Sequence, residues 1–216
     1  SGDITFHSMD ADTAGNTLCA VEFYSNIDLD KNGTGYSIEV EEDGGCIALF
    51  KLDTQGDILW AKHFETTNGY IIPEELQISE NSEIFIAGNF ASSMDCDPGD
   101  GIFTITDPYN TDLFILKLTE SGDFLWAGQF GGTRDANQIS MHVGPGNKIL
   151  LSSTFRDKID LHPSLDEKDE ATALGTSDAF ALMLSDKILA TSVISSGNIE
   201  INAFPNPVQE NVMIRL

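Results

Sequence analysis

Residues 51–64 read KLDTQGDILWAKHF, and residues 117–130 read KLTESGDFLWAGQF. Lys51 and Lys117, Gly56 and Gly122, and Trp60 and Trp126 are each 66 positions apart. Self-similarity at a fixed period marks a repeat architecture, in which each unit buries its apolar face against the next. Working outward, DLFILKL at 112–118 returns as DAFALML at 178–184, again displaced by 66. Upstream, SMDADTAGN at 8–16, ELQISENSE at 75–83 and SMHVGPGN at 140–147 occupy corresponding places. After each comes an apolar run that ends in a phenylalanine: Phe23, Phe90 or Phe155.

Each unit divides into short runs rich in Ile, Leu, Phe and Val, separated by clusters of Gly, Asn, Asp and Ser, which is the pattern of strands joined by tight turns. In the middle unit the strands are expected at 75–79, 84–90, 112–119 and 124–130, with a further short one at 102–106. Asn81 with Ser82, and Ser121-Gly122-Asp123, supply the tight turns, since Gly and Asn tolerate positive φ at little cost. No window keeps a helical period for about a dozen residues. The unit therefore reads as a four-stranded antiparallel meander with one long loop. Tandem meanders of this kind are the sequence form of propeller blades. The expected fold is all-β and β-propeller-like: three four-stranded antiparallel blades of about 66 residues, over 4–64, 65–130 and 131–196. Recurrence of Trp60, Trp126, Phe23, Phe90 and Phe155 at fixed places argues for packing between blades, against sugar-stacking platforms. Propellers take four blades or more, so three imply a partial propeller or open arc, and further blades are expected upstream of Ser1.

The balance of 35 acidic against 11 basic residues, a net charge of −24, sets the surface chemistry. It repels phosphate backbones and anionic headgroups, so nucleic acid is excluded as a partner. An apolar fraction of 41% with 19 glycines fits a folded, turn-rich chain. No apolar run reaches the roughly 20 residues of a membrane-spanning helix. Cys19, Cys46 and Cys96 are an odd, widely spaced set without CxxC, which rules out a disulfide scaffold and a cysteine-based zinc site. They read as small buried apolar side chains, with a Cys19–Cys46 pairing on neighbouring strands left open.

The order Gly15-Asn16, Asp95-Cys96-Asp97-Pro98-Gly99, Asp112 to Leu118, Ser121-Gly122-Asp123, Leu125-Trp126-Ala127 and Phe130-Gly131-Gly132 resembles the SBBP, or seven-bladed β-propeller, repeat family. The resemblance covers residues 4–195 and implies a fold, not an activity. The third unit departs from it: Met183 replaces the lysine, Ser185-Asp186-Lys187 is a shortened turn, and Ala190 takes the tryptophan place. After Ser195-Ser196-Gly197 the period stops. Residues 197–216 read as a linker followed by Ala203-Phe204-Pro205-Asn206-Pro207 and a VMI strand. That stretch resembles the opening of a type IX secretion C-terminal sorting domain, cut short at Leu216. The resemblance implies contact with secretion machinery and a secreted or outer-surface location in a Gram-negative bacterium.

The sharpest motif for a ligand is DLDKNGTGYSIE at 28–39, which satisfies D-x-D-x-[DN]-G-x5-E. Calcium takes six to eight oxygens, and Asp28, Asp30, Asn32, the Thr34 carbonyl and Glu39 converge if Gly33 makes the sharp turn. Asp95, Asp97 and Asp100 form a weaker second set; in the third unit the places of Asp28 and Asp30 hold Asp160 and His162. The alternative is an Asx-type turn, in which the carboxylates cap backbone amides. His7, His63, His142 and His162 fall at different places in the repeat, and no G-x-S-x-G elbow is present. No catalytic residue is therefore expected. The chain reads as a non-enzymatic binding or scaffold module, adhesin-like, for a protein or glycan ligand. The alternative is an extracellular hydrolase or accessory domain acting on polysaccharide or peptide, which needs non-repeated polar residues brought together.

Overall fold

A computed structural model describes residues 4–29, 35–40, 44–134, 136–165, 168–185 and 213–214. Among them there is no helix, and hence none long and apolar enough to cross a membrane. The chain begins with β1 (Ile4–Ala11), β2 (Thr17–Phe23), the short hairpin β3 (Ile27–Asp28) and β4 (Ser37–Ile38), then β5 (Cys46–Leu52) and β6 (Ile58–Glu65). It continues with β7 (Tyr70–Ile78), β8 (Ile84–Asp95), β9 (Thr104–Leu118) and β10 (Phe124–Phe130). The last part holds β11 (Ala136–Gly144), β12 (Lys148–Phe155), the hairpin β13 (Lys158–Asp160) and β14 (Glu170–Thr172), β15 (Asp178–Ser185) and β16 (Met213–Ile214).

These strands make three four-stranded antiparallel sheets, ordered β1-β2-β5-β6, β7-β8-β9-β10 and β11-β12-β15-β16. The expected four-stranded meander is present in the first two periods, whereas the third supplies three described strands and its sheet takes its fourth from Met213–Ile214, beyond the expected blade end at 196; the expected long loop is a hairpin inserted between second and third strands. It is separate in the first and third sheets. In the second it is the continuation of β8 and β9, where Ser92–Asp95 pairs with Thr104–Asp107. The fourth strand of the third sheet is Met213–Ile214, antiparallel to β15. The third unit's Ser185-Asp186-Lys187 turn beyond Ser185, its Ala190, and the Phe204-Pro205-Asn206-Pro207 stretch lie outside the described residues.

The turn in the opening quotation explains why it recurs. The Gly56 N–H donates to the Asp53 carbonyl and the Asp53 N–H to the Asp57 carbonyl; Gly122, Thr119 and Asp123 repeat both bonds. Gly56 and Gly122 sit at φ +85° and +81°, the left-handed region in which a side chain is strained. Beyond the turn the tryptophans return in one register, Trp60 opposite Lys51 and Trp126 opposite Lys117.

Alternation along each strand sends side chains to opposite faces, and two main cores result. Leu18, Ala20, Ile47 and Leu49 of the first sheet meet Ile84, Ile86, Phe114 and Leu116 of the second. Phe85, Leu113, Ile115 and Trp126 of the second meet Ile149, Leu151, Phe180 and Leu182 of the third. The second sheet is therefore buried on both faces, and β12 alternates exposed and buried along its length. Phe23, Phe90 and Phe155 are at most 1% exposed, so the recurring phenylalanines are packing residues, each contributing roughly 1.5–3 kcal/mol of burial. Trp126 is buried edge-on to Phe85, and Trp60 is half-buried against the core shared with the second sheet. Isolated bridges at Thr66↔Met94 and Gly132↔Ile159 join the end of each sheet to the inserted strand of the next.

One expectation about the cysteines is settled by register. Cys19 and Cys46 do lie on paired strands, but Cys19 faces Phe50 and Cys46 faces Phe23. Four residue steps separate them, about 14 Å at strand rise, and all three cysteines are free and buried.

Candidate functional site

The side chains that break the repeat gather at one place. Asp112 opens the third strand of its meander where the first sheet has Cys46, and Gly131 lies across from it where the first sheet has Glu65. The exchange is steric. A Cβ at Gly131 would stand 1.7 Å from the Asp112 carboxylate, so the larger acid requires glycine opposite. Asp112 is 3% exposed; its carboxylate accepts from the Gln129 side-chain amide at 2.6 Å and from the Gly132 N–H at 3.3 Å.

A second acid reaches the same point by an excursion of the strand. Asp107 pairs with Ser92 and Asp112 with Phe90, so the four residues between them have almost no partners to span. The excursion folds Asp107 back onto Asp112, with the Asn110 N–H donating to Asp107 Oδ1 at 3.2 Å. Burial pushes the Asp112 carboxyl up, to about 7; the Gln129 bond opposes this, while the neighbouring Asp107 charge and hydrogen bond add to it. Burial and the neighbouring Asp107 together favour the protonated Asp112.

The pair forms one wall of a cleft of about 420 Å³ between the second and third sheets. Thr106, Gln129 and the Gly131–Gly132 backbone continue that wall; Lys158, Asp160, His162, Lys168 and Glu170 line the other side. The opposite wall is held by backbone bonds: the Asp160 N–H donates to the Gly131 carbonyl at 2.7 Å, and the Gln129 N–H to the Pro163 carbonyl at 3.2 Å. The Ser164 N–H donates to His162 Nδ1 at 3.2 Å, which leaves the proton of a neutral ring on Nε2. No family model, curated protein or solved structure matches the chain. The cleft's chemistry is thus read from its own residues: a carboxyl pair able to give and take a proton, an amide, and two ammonium groups beside acids.

The residues singled out in the sequence lie elsewhere. Asp28 and Glu39 are exposed on the β3–β4 hairpin, and Asp30, Asn32 and Thr34 fall outside the described residues. In the second set Asp95 Oδ1 accepts from the Asp97 and Phe103 N–H groups, and Asp97 Oδ1 from the Gly99 N–H. Asp160 does the same with His162 and Asp169. These carboxylates cap the inserted hairpins in the Asx manner. Asp100 is exposed, and among the described residues no group of three His, Cys, Asp or Glu is placed to hold a metal ion. Asp107, Gln129, Lys158 and Lys168 were not singled out from the sequence. Their one signal is that Asp112-x-Phe and Phe130-Gly131-Gly132 replace Cys46 and Phe64-Glu65-Thr66, a coupled departure from the repeat.

Proposed function

We propose that the chain is part of a secreted or cell-surface β-propeller-like repeat protein, three blades of an arc, that acts as a binding module without catalysis. Its ligand, a glycan or a protein segment rich in hydroxyl groups, sits in the cleft between the second and third sheets. One observation carries this reading: packing positions recur from sheet to sheet, while the polar departures at Asp107, Asp112, Gln129 and Gly131 converge on one concave site. Concave sites with a few convergent polar groups are where ligands bind. A net charge of −24 disfavours polyanions. Export follows from the resemblance of the Phe204-Pro205-Asn206-Pro207 tail to a sorting domain, and calcium at Asp28, Asp30, Asn32, Thr34 and Glu39 belongs to this proposal as a structural ion. A glycan array probed with the wild-type chain and with Gln129→Ala tests it. Binding that falls roughly two- to tenfold in the variant, as for a lost hydrogen bond, supports the cleft; equal binding rejects it.

A second reading rests on the acid pair. A carboxyl that holds its proton near neutral pH beside a second carboxyl is the equipment of general acid–base hydrolysis. Release of reducing ends or peptides from polymer substrates, lost in Asp112→Asn, would establish that reading over the first.

A further inference from the structure

The back of each sheet lies on the front of the next, and this pattern breaks off at the back of the third sheet and the front of the first. Asp10 Oδ2 in β1 accepts from the Ile78 N–H of β7 at 2.8 Å. Gln77, at the same repeat place in β7, accepts through Oε1 from the Val143 N–H of β11 at 2.6 Å. His142 holds that place in β11 and is exposed on the back of the third sheet. At the other end the Ala11 N–H stands where Ile78 and Val143 stand. Among the described residues no sheet precedes it, and it turns to its own Asp10 Oδ1.

The apolar side chains break off at the same two faces. On the back of the second sheet Phe85 is buried against the third; the third sheet has Leu150 at that place, 38% exposed, with Met183 paired to it. On the front of the first sheet, Ile27 and Ile38 of the inserted hairpin pack over β2 and β5. Ile4, Phe6 and Met9 in β1 stay more than half exposed there, while Ile71 and Leu76, at the places of Ile4 and Met9, are buried against the first sheet. The two open faces also match in charge. Lys51 on the back of the first sheet reaches Glu120 in the last turn of the second at 3.1 Å. Where the pattern would run on, the lysine is Met183 and the Glu120 place in the first sheet is Thr54. Both partners of the ion pair are replaced together, so neither face brings an unmatched charge to the other.

A sheet placed before the first would cover β1 and leave Leu150 open, and a sheet placed after the third would do the reverse. A second copy of this chain covers both at once, because under twofold symmetry residue i meets j and j meets i. Two arcs of three sheets make six, within the range of about four to eight blades in which propellers close, and three arcs would exceed it.

We propose that the back of the third sheet, at Leu150 and Met183, docks on the β1 face of a second copy, at Ile4, Phe6 and Met9, so that two chains close one ring. The ring rests on the propeller-like reading of the sheets and not on the cleft; its mass is read without ligand, so this test and the glycan array fail independently. Sedimentation velocity of the whole chain over a wide range of concentrations is expected to show one species of twice the chain mass that dissociates on dilution. Phe6→Asp on the front and Leu150→Asp on the back each place a carboxylate in both junctions. Each is expected to raise the dissociation constant roughly thirtyfold or more, the low end for burying an unsatisfied polar group. Both positions are exposed in the single chain, and melting curves at low concentration report that the variants fold. A mixture of the two variants is expected to associate more tightly than either alone, because one junction of the mixed pair carries neither substitution. A single chain mass at every concentration, or species that grow beyond two copies, overturns the proposal. So does association lost in Phe6→Asp but unchanged in Leu150→Asp, which marks pairing of front with front, and so does a mixture that gains nothing.

Discussion

Asp112 shows how far one side chain depends on its surroundings. Its carboxyl moves from 3.8 to about 7 on folding, so the folded chain holds a proton that the unfolded chain has released. Between those values the folded state binds more protons, and linkage makes stability fall as pH rises from about 4 to about 7. Below the lower value the contribution is fully present. Asp112→Asn keeps the shape and stays neutral, and is expected to remove this share of the slope. Urea midpoints at about pH 5 and about pH 8 check it: the wild-type midpoint should drop by more than that of the variant. Parallel profiles would mean that the carboxyl is ionised throughout. Gly131 is bound to the same fact, since its missing side chain is the space Asp112 occupies. Neither was legible as a site, because Asp107 joins Asp112 only through an excursion of the strand, and spacing alone does not reveal where such an excursion returns.

At the level of the element, the repeated lysine is a rivet between sheets. Lys51 in β5 bonds Asp12 at 2.9 Å and Glu120 of the next sheet at 3.1 Å, with its side chain 6% exposed. Lys117 in β9 bonds Glu83, which also accepts from Asn147 of the third sheet, and lies 5.3 Å over the Phe85 ring. In β15 the equivalent residue is Met183. Burial acts to raise the Asp12 carboxyl, yet the Lys51 and Asn16 bonds outweigh it and hold the group at about 2. That stabilisation is present above 3.8 and lost as pH falls toward 2. Lys51→Met is expected to cost on the order of 3 kcal/mol, because a buried carboxylate loses its ion partner. Lys62→Met breaks an ion pair with Asp123, which is 64% exposed, and should cost under about 1 kcal/mol. Denaturant unfolding of both variants decides; equal losses would refute the bridging role. The lysine and its turn were legible because turn chemistry forces them to recur. The inserted hairpins were not, because β3, β4, β13 and β14 span only two or three residues each, too few for any alternation to register, and β13 is held by backbone bonds to the end of the second sheet.

For the whole molecule, the same repeat position carries different energies according to what lies over it. Ile4, Phe6 and Met9 of the first sheet point to the same face as Phe23, Val21 and Cys19, and are 54%, 53% and 63% exposed. In the second sheet the places of Ile4 and Met9 hold Ile71 and Leu76, 0% and 5% exposed beneath the first sheet; in the third, Met141 is 8% exposed beneath the second. Period and alternation made these residues legible as one set, but exposure depends on the neighbour, which a periodic sequence does not specify for its first member. Leu76→Ala should therefore cost about 2–5 kcal/mol through cavity and transfer terms, and Met9→Ala, at the equivalent position, no more than about 0.5 kcal/mol. Urea unfolding of the two variants at low protein concentration measures the contrast. A loss for Met9→Ala approaching that of Leu76→Ala would show that the face is covered in solution, and sedimentation of the wild-type chain over a range of concentrations would then tell a second copy, whose contact dilutes away, from coverage within the chain, which does not.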